Sequence, residues 1–188
     1  MHSEQDPRWQ DQKITRLPSF SRKNAMQLLH VIGRKNNGKT KMVVDIITEL
    51  TRRGLRVGAI KHSSHDHELD KPGKDSHLHR TAGASPAAVI TPGLTAVFIP
   101  HEGDEEALTT ILPLYQDKDI VVVEGYVAGP GKKIEVWRNL SGEPPFSPKR
   151  EDIDALVTDD PVDVPVPIWP RKDIVALCDN ILKLVEIE

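Results

Sequence analysis

The stretch from Leu28 to Thr40, LLHVIGRKNNGKT, constrains the fold more than any other part of the chain. It begins with a short apolar run, turns through Gly33 to Gly38, and reaches Lys39 and Thr40. This is the pattern G-x-x-x-x-G-K-T of a phosphate-binding loop between a strand and a helix. The two glycines let the backbone come close to an anion, and the N–H groups form an anion nest at a helix N-terminus. The sequence therefore predicts a loop that binds nucleotide phosphates.

Each polar position in this loop has a predicted role. Lys39 is expected to neutralise charge on the β- and γ-phosphates, and the Thr40 hydroxyl to bind Mg²⁺. Arg34 is the candidate for an arginine that stabilises charge during phosphate transfer. The candidate nucleotide-binding residues of the loop are Gly33, Arg34, Lys35, Asn36, Asn37, Gly38, Lys39 and Thr40.

Strand and helix patterns alternate along the chain, which predicts an α/β fold of the P-loop NTPase type with a mainly parallel β-sheet flanked by helices. A Pro-Gly turn between two apolar runs adds a β-hairpin excursion. We expect a flexible N-terminal extension over residues 1–26 and one nucleotide-binding domain over 27–188. The predicted strands are 28–33, 55–60, 87–91, 95–99, 119–125, 134–137 and 153–158; the helices are 38–53, 75–82, 104–115 and 172–186; the loops include 139–150 and 160–170.

Ligands of open parallel sheets sit beyond the carboxyl ends of the strands, and polar side chains follow several strands at that edge. Glu124 follows the strongest strand of the chain, whereas Asp119 lies at the opposite end of the same strand. We therefore predict that Glu124, not Asp119, acts on Mg²⁺ or on the attacking water. The other residues at this edge are Lys61 and His62 after the second strand and Thr158 and Asp159 after the 153–158 strand.

The polar segment between residues 61 and 80 carries five histidines, His62, His65, His67, His77 and His79. Their spacing matches no rigid metal motif, so a solvated loop is one interpretation. His62, His65 and Asp66 follow a strand end, where a loop can contact a γ-phosphate or Mg²⁺ and reorder with nucleotide state. Lys74, beside the Pro72–Gly73 bend, is a candidate contact for an anionic substrate.

Composition excludes several classes of protein. The net charge of −3 gives no electrostatic case for a nucleic-acid or anionic-membrane partner. The single cysteine, Cys178, excludes an intramolecular disulfide and a cysteine zinc cluster, and it suits the cytoplasm. Since no apolar run approaches a membrane span and the N-terminus lacks a signal-peptide core, we expect a cytoplasmic protein without a membrane partner.

Several motifs together resemble the MobB family over about residues 28 to 186. The phosphate loop alone is shared by many NTPases, and the specific part is the order and spacing of the motifs that accompany it. These are Lys61-His62-x-x-His65-Asp66, Asp70-x-Pro72-Gly73-Lys74-Asp75-Ser76, Ala82-Gly83-Ala84, Val123-Glu124-Gly125-Tyr126, Lys133-Ile134-x-Val136-x-Arg138 and Ala155-x-Val157-Thr158-Asp159.

The resemblance implies a dimeric protein that binds GTP with Mg²⁺ and serves as an adaptor in molybdopterin guanine dinucleotide biosynthesis. It implies weak GTP hydrolysis and a MobA-like guanylyltransferase partner, which attaches GMP to molybdopterin. The resemblance also implies molybdopterin or its guanine dinucleotide as a further ligand. Thr158 and Asp159 are candidates for the base pocket, because a carboxylate accepts hydrogen bonds from guanine N1–H and N2–H₂. This chain departs from the family at Val127, where a basic residue is frequent.

Three alternatives to this reading stay open at the level of sequence. A small-molecule kinase on the same scaffold would use Asp66 or Asp75 as its general base. A nucleotide-gated metallochaperone would carry nickel or zinc on the histidine segment. A pure binding module would hold nucleotide without turning it over.

Overall fold

The computed structural model describes residues 25–65, 68–140 and 142–187. Nearly all of the predicted N-terminal extension therefore lies outside the described residues, as do Asp66 and His67. No described helix is both long and apolar enough to cross a membrane. The strands are β1 Gln27–Ile32, β2 Val57–Lys61, β3 Ala87–Ile90, β4 Thr95–Phe98, β5 Ile120–Glu124, β6 Lys132–Val136, β7 Ala155–Val157 and β8 Ile168–Trp169; the helices are α1 Lys39–Arg52, α2 Asp75–Thr81, α3 Asp104–Ile111 and α4 Ile174–Leu184.

Six of the described strands form one sheet in the order β2-β5-β1-β6-β7-β8, and every neighbouring pair is parallel. The remaining two, β3 and β4, form a separate antiparallel hairpin. β1 lies between β5 and β6, so the loop that follows it emerges near the middle of the sheet. This arrangement confirms the predicted P-loop NTPase fold with its hairpin excursion.

The sheet is covered on both faces, which explains the continuous apolar run of β5. Alternate residues of this strand point to opposite sides, because successive side chains of a strand alternate in direction. Val122 packs with Ile46 of α1 and Leu177 of α4 in the larger core cluster. Val121 and Val123 pack with residues of α3 and with Tyr126 in the smaller one.

Two of the predicted elements that differ from the structure contain prolines, and Pro113 is the residue expected to end the helix over 104–115 early. The predicted helix over 104–115 ends at Ile111 and continues as a 3₁₀ turn, because Pro113 has no N–H to donate. The predicted connector over 160–170 contains β8, a two-residue strand. β8 is the edge strand of the sheet, where a neighbouring proline is tolerated.

A buried carboxylate ties α1 to α4. Glu49 is only 7% exposed, and its oxygens accept hydrogen bonds from Arg52 Nε at 2.8 Å and Arg53 Nε at 2.7 Å. Arg53 also donates to Asp179 at 2.6 Å and to the Val175 carbonyl at 2.9 Å, both on α4. Hydrogen bonds from Arg52 and Arg53 lower the pKa of Glu49 to about 2.

This cluster predicts a specific loss of stability in acid. The folded-state pKa of Glu49 lies below its ordinary value of 4.5, so the stabilisation is complete above that value and is lost as pH falls toward about 2. Glu49→Gln should therefore flatten the decline of the thermal unfolding midpoint between about pH 6 and about pH 2. The exposed Glu151→Gln variant is the control. Parallel curves for Glu49→Gln and the wild type would contradict the assignment.

Candidate functional site

The loop between β1 and α1 is folded tightly against neighbouring segments. Gly33 has φ 141°, and a Cβ there would collide with the Val136 carbonyl oxygen of the adjacent β6. Gly38 has φ 79°, and a Cβ there would lie 2.5 Å from a guanidinium nitrogen of Arg171. Both positions therefore favour glycine for their positive φ, and Gly33 also needs it for space because the neighbouring atom belongs to the backbone.

The loop curls around the side chain of Lys39. Its Nζ donates a 2.8 Å hydrogen bond to the carbonyl oxygen of Arg34 at the beginning of the loop. Burial lowers the pKa of Lys39, the positive charge of Lys61 lowers it further, and Glu124 opposes both effects. A partly desolvated ammonium group that is bonded to a neutral carbonyl oxygen forms a stronger hydrogen bond when an anion takes the place of that oxygen.

The carboxylate of Glu124 joins three elements at the carboxyl edge of the sheet. Its Oε1 accepts hydrogen bonds from Thr40 Oγ1 at 2.8 Å and from Lys61 Nζ at 2.6 Å. Glu124 is only 6% exposed, so the carboxylate is largely withdrawn from bulk water. Asp119, at the opposite end of β5, instead accepts from the Arg56 backbone N–H at 2.7 Å. Of these two acidic residues, Glu124 is the one beside the loop.

Lys61 and His62 lie on the Glu124 side of the loop, where the His62 N–H donates to the Glu124 carbonyl at 2.9 Å. The His62 ring stacks on Tyr126 with centroids 4.6 Å apart, and its Nε2 lies 3.0 Å from Asp104 Oδ2. The backbone N–H of His65 donates to Ser63 Oγ at 3.3 Å. Lys74 is the N-cap residue of α2 and makes no capping hydrogen bond with its side chain. No hydrogen bond or ion pair among the described residues joins it to the 33–40 loop. The geometry thus brings Lys61 to the loop but does not bring Lys74 there.

The described histidines of this segment are divided between the loop after β2 and the helix α2. His77 Nδ1 accepts from the Gly73 N–H at 3.5 Å, on a different element from His62. Across residues 25–65, 68–140 and 142–187, no group of three or more His, Cys, Asp or Glu side chains has the arrangement of a metal site.

Thr158 and Asp159 lie on the other flank of the loop, after β7. Thr158 is buried, and its Oγ1 accepts from the Asp160 N–H at 3.0 Å. Asp159 Oδ1 accepts from the backbone N–H groups of Arg171 at 2.9 Å and Lys172 at 3.3 Å. Asp159 therefore holds the turn after β8 and borders a cavity of about 690 Å³ between that turn and α1.

Arg171 is a site residue that the motifs do not predict. Its Nη1 donates to the carbonyl oxygen of Asn37 at 2.8 Å, so the turn after β8 is bonded directly to the loop. Arg171 lies 134 residues from Asn37, in a turn that carries no recognised motif. The parallel sheet indicates its position, because the carboxyl ends of parallel strands, and the turns that follow them, lie at the same edge.

The segment after Ser141 also packs against the loop. Arg34 donates to the Pro144 carbonyl at 3.0 Å, pairs with Glu143 at 3.2 Å, and lies over the Phe146 ring at 4.7 Å. The fully buried Glu135 carboxylate accepts from the N–H groups of Phe146 at 2.7 Å and Ser147 at 2.9 Å. The described part of the predicted 139–150 loop is therefore anchored to the sheet, with a helical turn at Ser147–Lys149.

The packing of the loop predicts unequal effects of two glycine substitutions. Gly33→Ala adds a clash with the Val136 backbone to the cost of positive φ, whereas Gly54→Ala, at φ 88°, meets nothing within 4 Å. Gly54→Ala should cost about 1–2 kcal/mol of unfolding free energy. Gly33→Ala should cost about 1–3 kcal/mol more. Equal losses in urea unfolding would show that the approach of the loop to β6 is not tight.

The model of the MobB family, described as molybdopterin guanine dinucleotide synthesis protein B, matches residues 28–159. The chain is 30% identical over 171 residues to the Escherichia coli molybdopterin-guanine dinucleotide biosynthesis adapter protein, covering 87% of this chain and 96% of the relative. It is 33% identical over 124 residues to the Haemophilus influenzae adapter protein, covering 64% and 68%. The crystal structure of Bacillus subtilis MobB matches with a TM-score of 0.64 at 25% identity, covering 86% of this chain and 99% of that one. The chain therefore belongs to the MobB family.

Proposed function

We propose that this protein binds GTP with Mg²⁺ and serves as an adaptor in molybdopterin guanine dinucleotide biosynthesis, assisting a MobA-like guanylyltransferase. Family membership and the names of its relatives support the pathway. The observation that carries nucleotide binding is the convergence of Lys39, Thr40 and Glu124 at a glycine loop, with Thr40 Oγ1 and Glu124 Oε1 2.8 Å apart. Hydroxyl and carboxylate oxygens are ligands that Mg²⁺ prefers.

Each residue of the site has a role in this proposal. The loop N–H groups and Lys39 hold the phosphates, and Thr40 and Glu124 hold Mg²⁺, which neutralises phosphate charge when bound. Lys61, which shares Glu124 Oε1 with Thr40, would turn to the terminal phosphate. Thr158 and Asp159 would contribute to the base pocket. His62, His65, Asp66 and Lys74 are the further candidates for contacts to the terminal phosphate or to a second anionic ligand.

We also propose that GTP hydrolysis by this chain alone is weak. Fast phosphoryl transfer needs a cation such as an arginine on the transferring group. Arg34, the arginine inside the motif, is held by the Pro144 carbonyl and the Glu143 carboxylate. Its contacts favour a role in shaping the loop over one in catalysis. The protein would then act in the cytoplasm chiefly as a nucleotide-dependent binding partner.

Nucleotide titration by calorimetry tests the proposal. The wild type should prefer GTP over ATP and should need Mg²⁺ for full affinity. Lys39→Ala should weaken GTP binding by about 10- to 150-fold, because it removes a charge-assisted hydrogen bond to phosphate. The exposed Lys183→Ala variant controls for the loss of one positive charge. Preference for ATP would favour the small-molecule kinase, and binding of neither nucleotide would contradict the proposal.

The hairpin supports a homodimer. Its apolar side chains are exposed although the strands are formed: Val89, Ile90, Leu94, Val97 and Ile99. An exposed apolar surface of this kind marks a protein contact. We propose that a second copy of the chain covers it, which leaves the nucleotide edge for the guanylyltransferase and for molybdopterin or its guanine dinucleotide.

Light scattering after size exclusion tests the dimer. The wild type should have twice the 21.0 kDa chain mass. Leu94→Asp should weaken dimerisation by about tenfold or more, because it buries an unpaired charge. Leu114→Asp is a matched control, since both leucines are 72% exposed and Leu114 lies outside the hairpin. Equal dissociation of both variants, or a monomeric wild type, would contradict the assignment.

A further inference from the structure

Arg171 lines the cavity between α1 and the turn after β8, and part of its guanidinium has no hydrogen-bond partner among the described residues. Arg171 uses Nη1 on the Asn37 carbonyl at 2.8 Å, and its backbone N–H is taken by Asp159. Within the described residues, no hydrogen bond from its Nε or Nη2 to a protein group is formed. The side chain lines the cavity of about 690 Å³, a volume suited to a small-molecule ligand.

Most of the other charges around this cavity are already paired within the protein. Lys41 lies 2.8 Å from Asp45 on the same turn of α1. Lys172 lies 3.7 Å from Asp159 Oδ2. After these pairs are set aside, two cations around the cavity keep donors for a ligand among the described residues: the half-buried Arg171 and the exposed Arg138. Burial lowers the pKa of Arg171, with the nearby charge of Arg138 adding to the effect. A partly desolvated guanidinium forms stronger hydrogen bonds than an exposed one.

The cavity lies where the base of a bound nucleotide is expected. Lys39 and Glu124 mark the terminal-phosphate side, next to β5 and β2. Arg171 and Asp159 lie on the opposite side of β1, beyond β7 and β8. A nucleotide whose phosphates fill the loop would therefore extend its base toward Arg171.

We propose that Arg171 is a specificity-determining residue that donates to O6 and N7 of guanine while it holds the loop through Asn37. This inference rests on the proposed GTP binding. Guanine presents two acceptors on that edge, and arginine is the side chain that matches them, whereas adenine presents a donor at N6. Asp160, which also lines the cavity, accepts the Asn139 N–H at 2.7 Å through Oδ2, and its Oδ1 is left among the described residues for the donors N1–H and N2–H₂. The cavity thus offers both donors and an acceptor for the edges of guanine.

Changing Arg171 in the protein and N7 in the nucleotide, separately and together, tests this assignment. Dissociation constants for GTP, 7-deaza-GTP and ATP would be measured for the wild type, Arg171→Met and Arg171→Lys, with Lys183→Met as the charge control. The wild type should bind GTP about tenfold more tightly than 7-deaza-GTP, which lacks N7. In Arg171→Met, whose side chain has no hydrogen-bond donor, that ratio should fall to about one. Arg171→Lys should lie between, because lysine keeps the charge but loses the bidentate fork.

The outcomes separate this inference from the proposed function. If Arg171→Met weakens the binding of all three nucleotides equally and leaves the ratio of the GTP and 7-deaza-GTP dissociation constants unchanged, Arg171 only shapes the loop and the assignment is overturned. If the wild type binds GTP without discriminating 7-deaza-GTP, the assignment is overturned while GTP binding stands. If the wild type binds no GTP, both fail. Thermal unfolding of each variant confirms that the folded protein was measured.

Discussion

The hydrogen bonds of Glu124 hold together the edge of the sheet on which the site is built. One carboxylate oxygen accepts from Thr40 at the beginning of α1 and from Lys61 at the end of β2. A buried carboxylate needs such partners, because a carboxylate removed from water without them is costly. On the other flank, Arg171 bonds to the loop at Asn37. The loop is therefore fixed from both sides before any ligand arrives, which is the condition for recognising phosphate at a low cost in entropy.

The parallel sheet explains why these residues meet. β1 lies between β5 and β6, so the loop that follows it opens between the ends of both neighbours. Gly33 touches the backbone of β6, and Glu124 ends β5. The core beneath is apolar and fully buried, and its residues come from strands and from α1 and α4 alike. The apolar core stabilises the fold, whereas the polar groups at the edge of the sheet can change their hydrogen-bond partners.

Local patterns were sufficient for most of the fold and for the loop. The glycine spacing, the apolar run of β5 and the helical period of α1 each act within a few residues, and the structure has each element where its pattern predicts it. The polar pattern of β6, KKIEV, is a weaker indicator of a buried strand. Its Lys133 and Glu135 are buried because Asp152 and the backbone of residues 146–147 supply partners.

The contacts that Arg171 and Arg34 make with distant segments could not be read from the sequence. The bond from Arg171 to Asn37 spans 134 residues, and neither residue carries a pattern that points to the other. The same holds for Arg34, whose partners lie 110 residues away in a proline-rich stretch that reads as loop. β8 is only two residues long and is specified by its pairing with β7 rather than by its own composition. Such features depend on the assembled sheet.

The most direct test of the central claim is a crystal structure with a non-hydrolysable GTP analogue and Mg²⁺. Our account predicts phosphates within the 33–40 loop and Mg²⁺ beside Thr40 and Glu124. Lys39 Nζ should leave the Arg34 carbonyl, which it contacts at 2.8 Å, and should contact the phosphates instead. An analogue bound elsewhere, or Lys39 still on that carbonyl with the analogue present, would contradict the account.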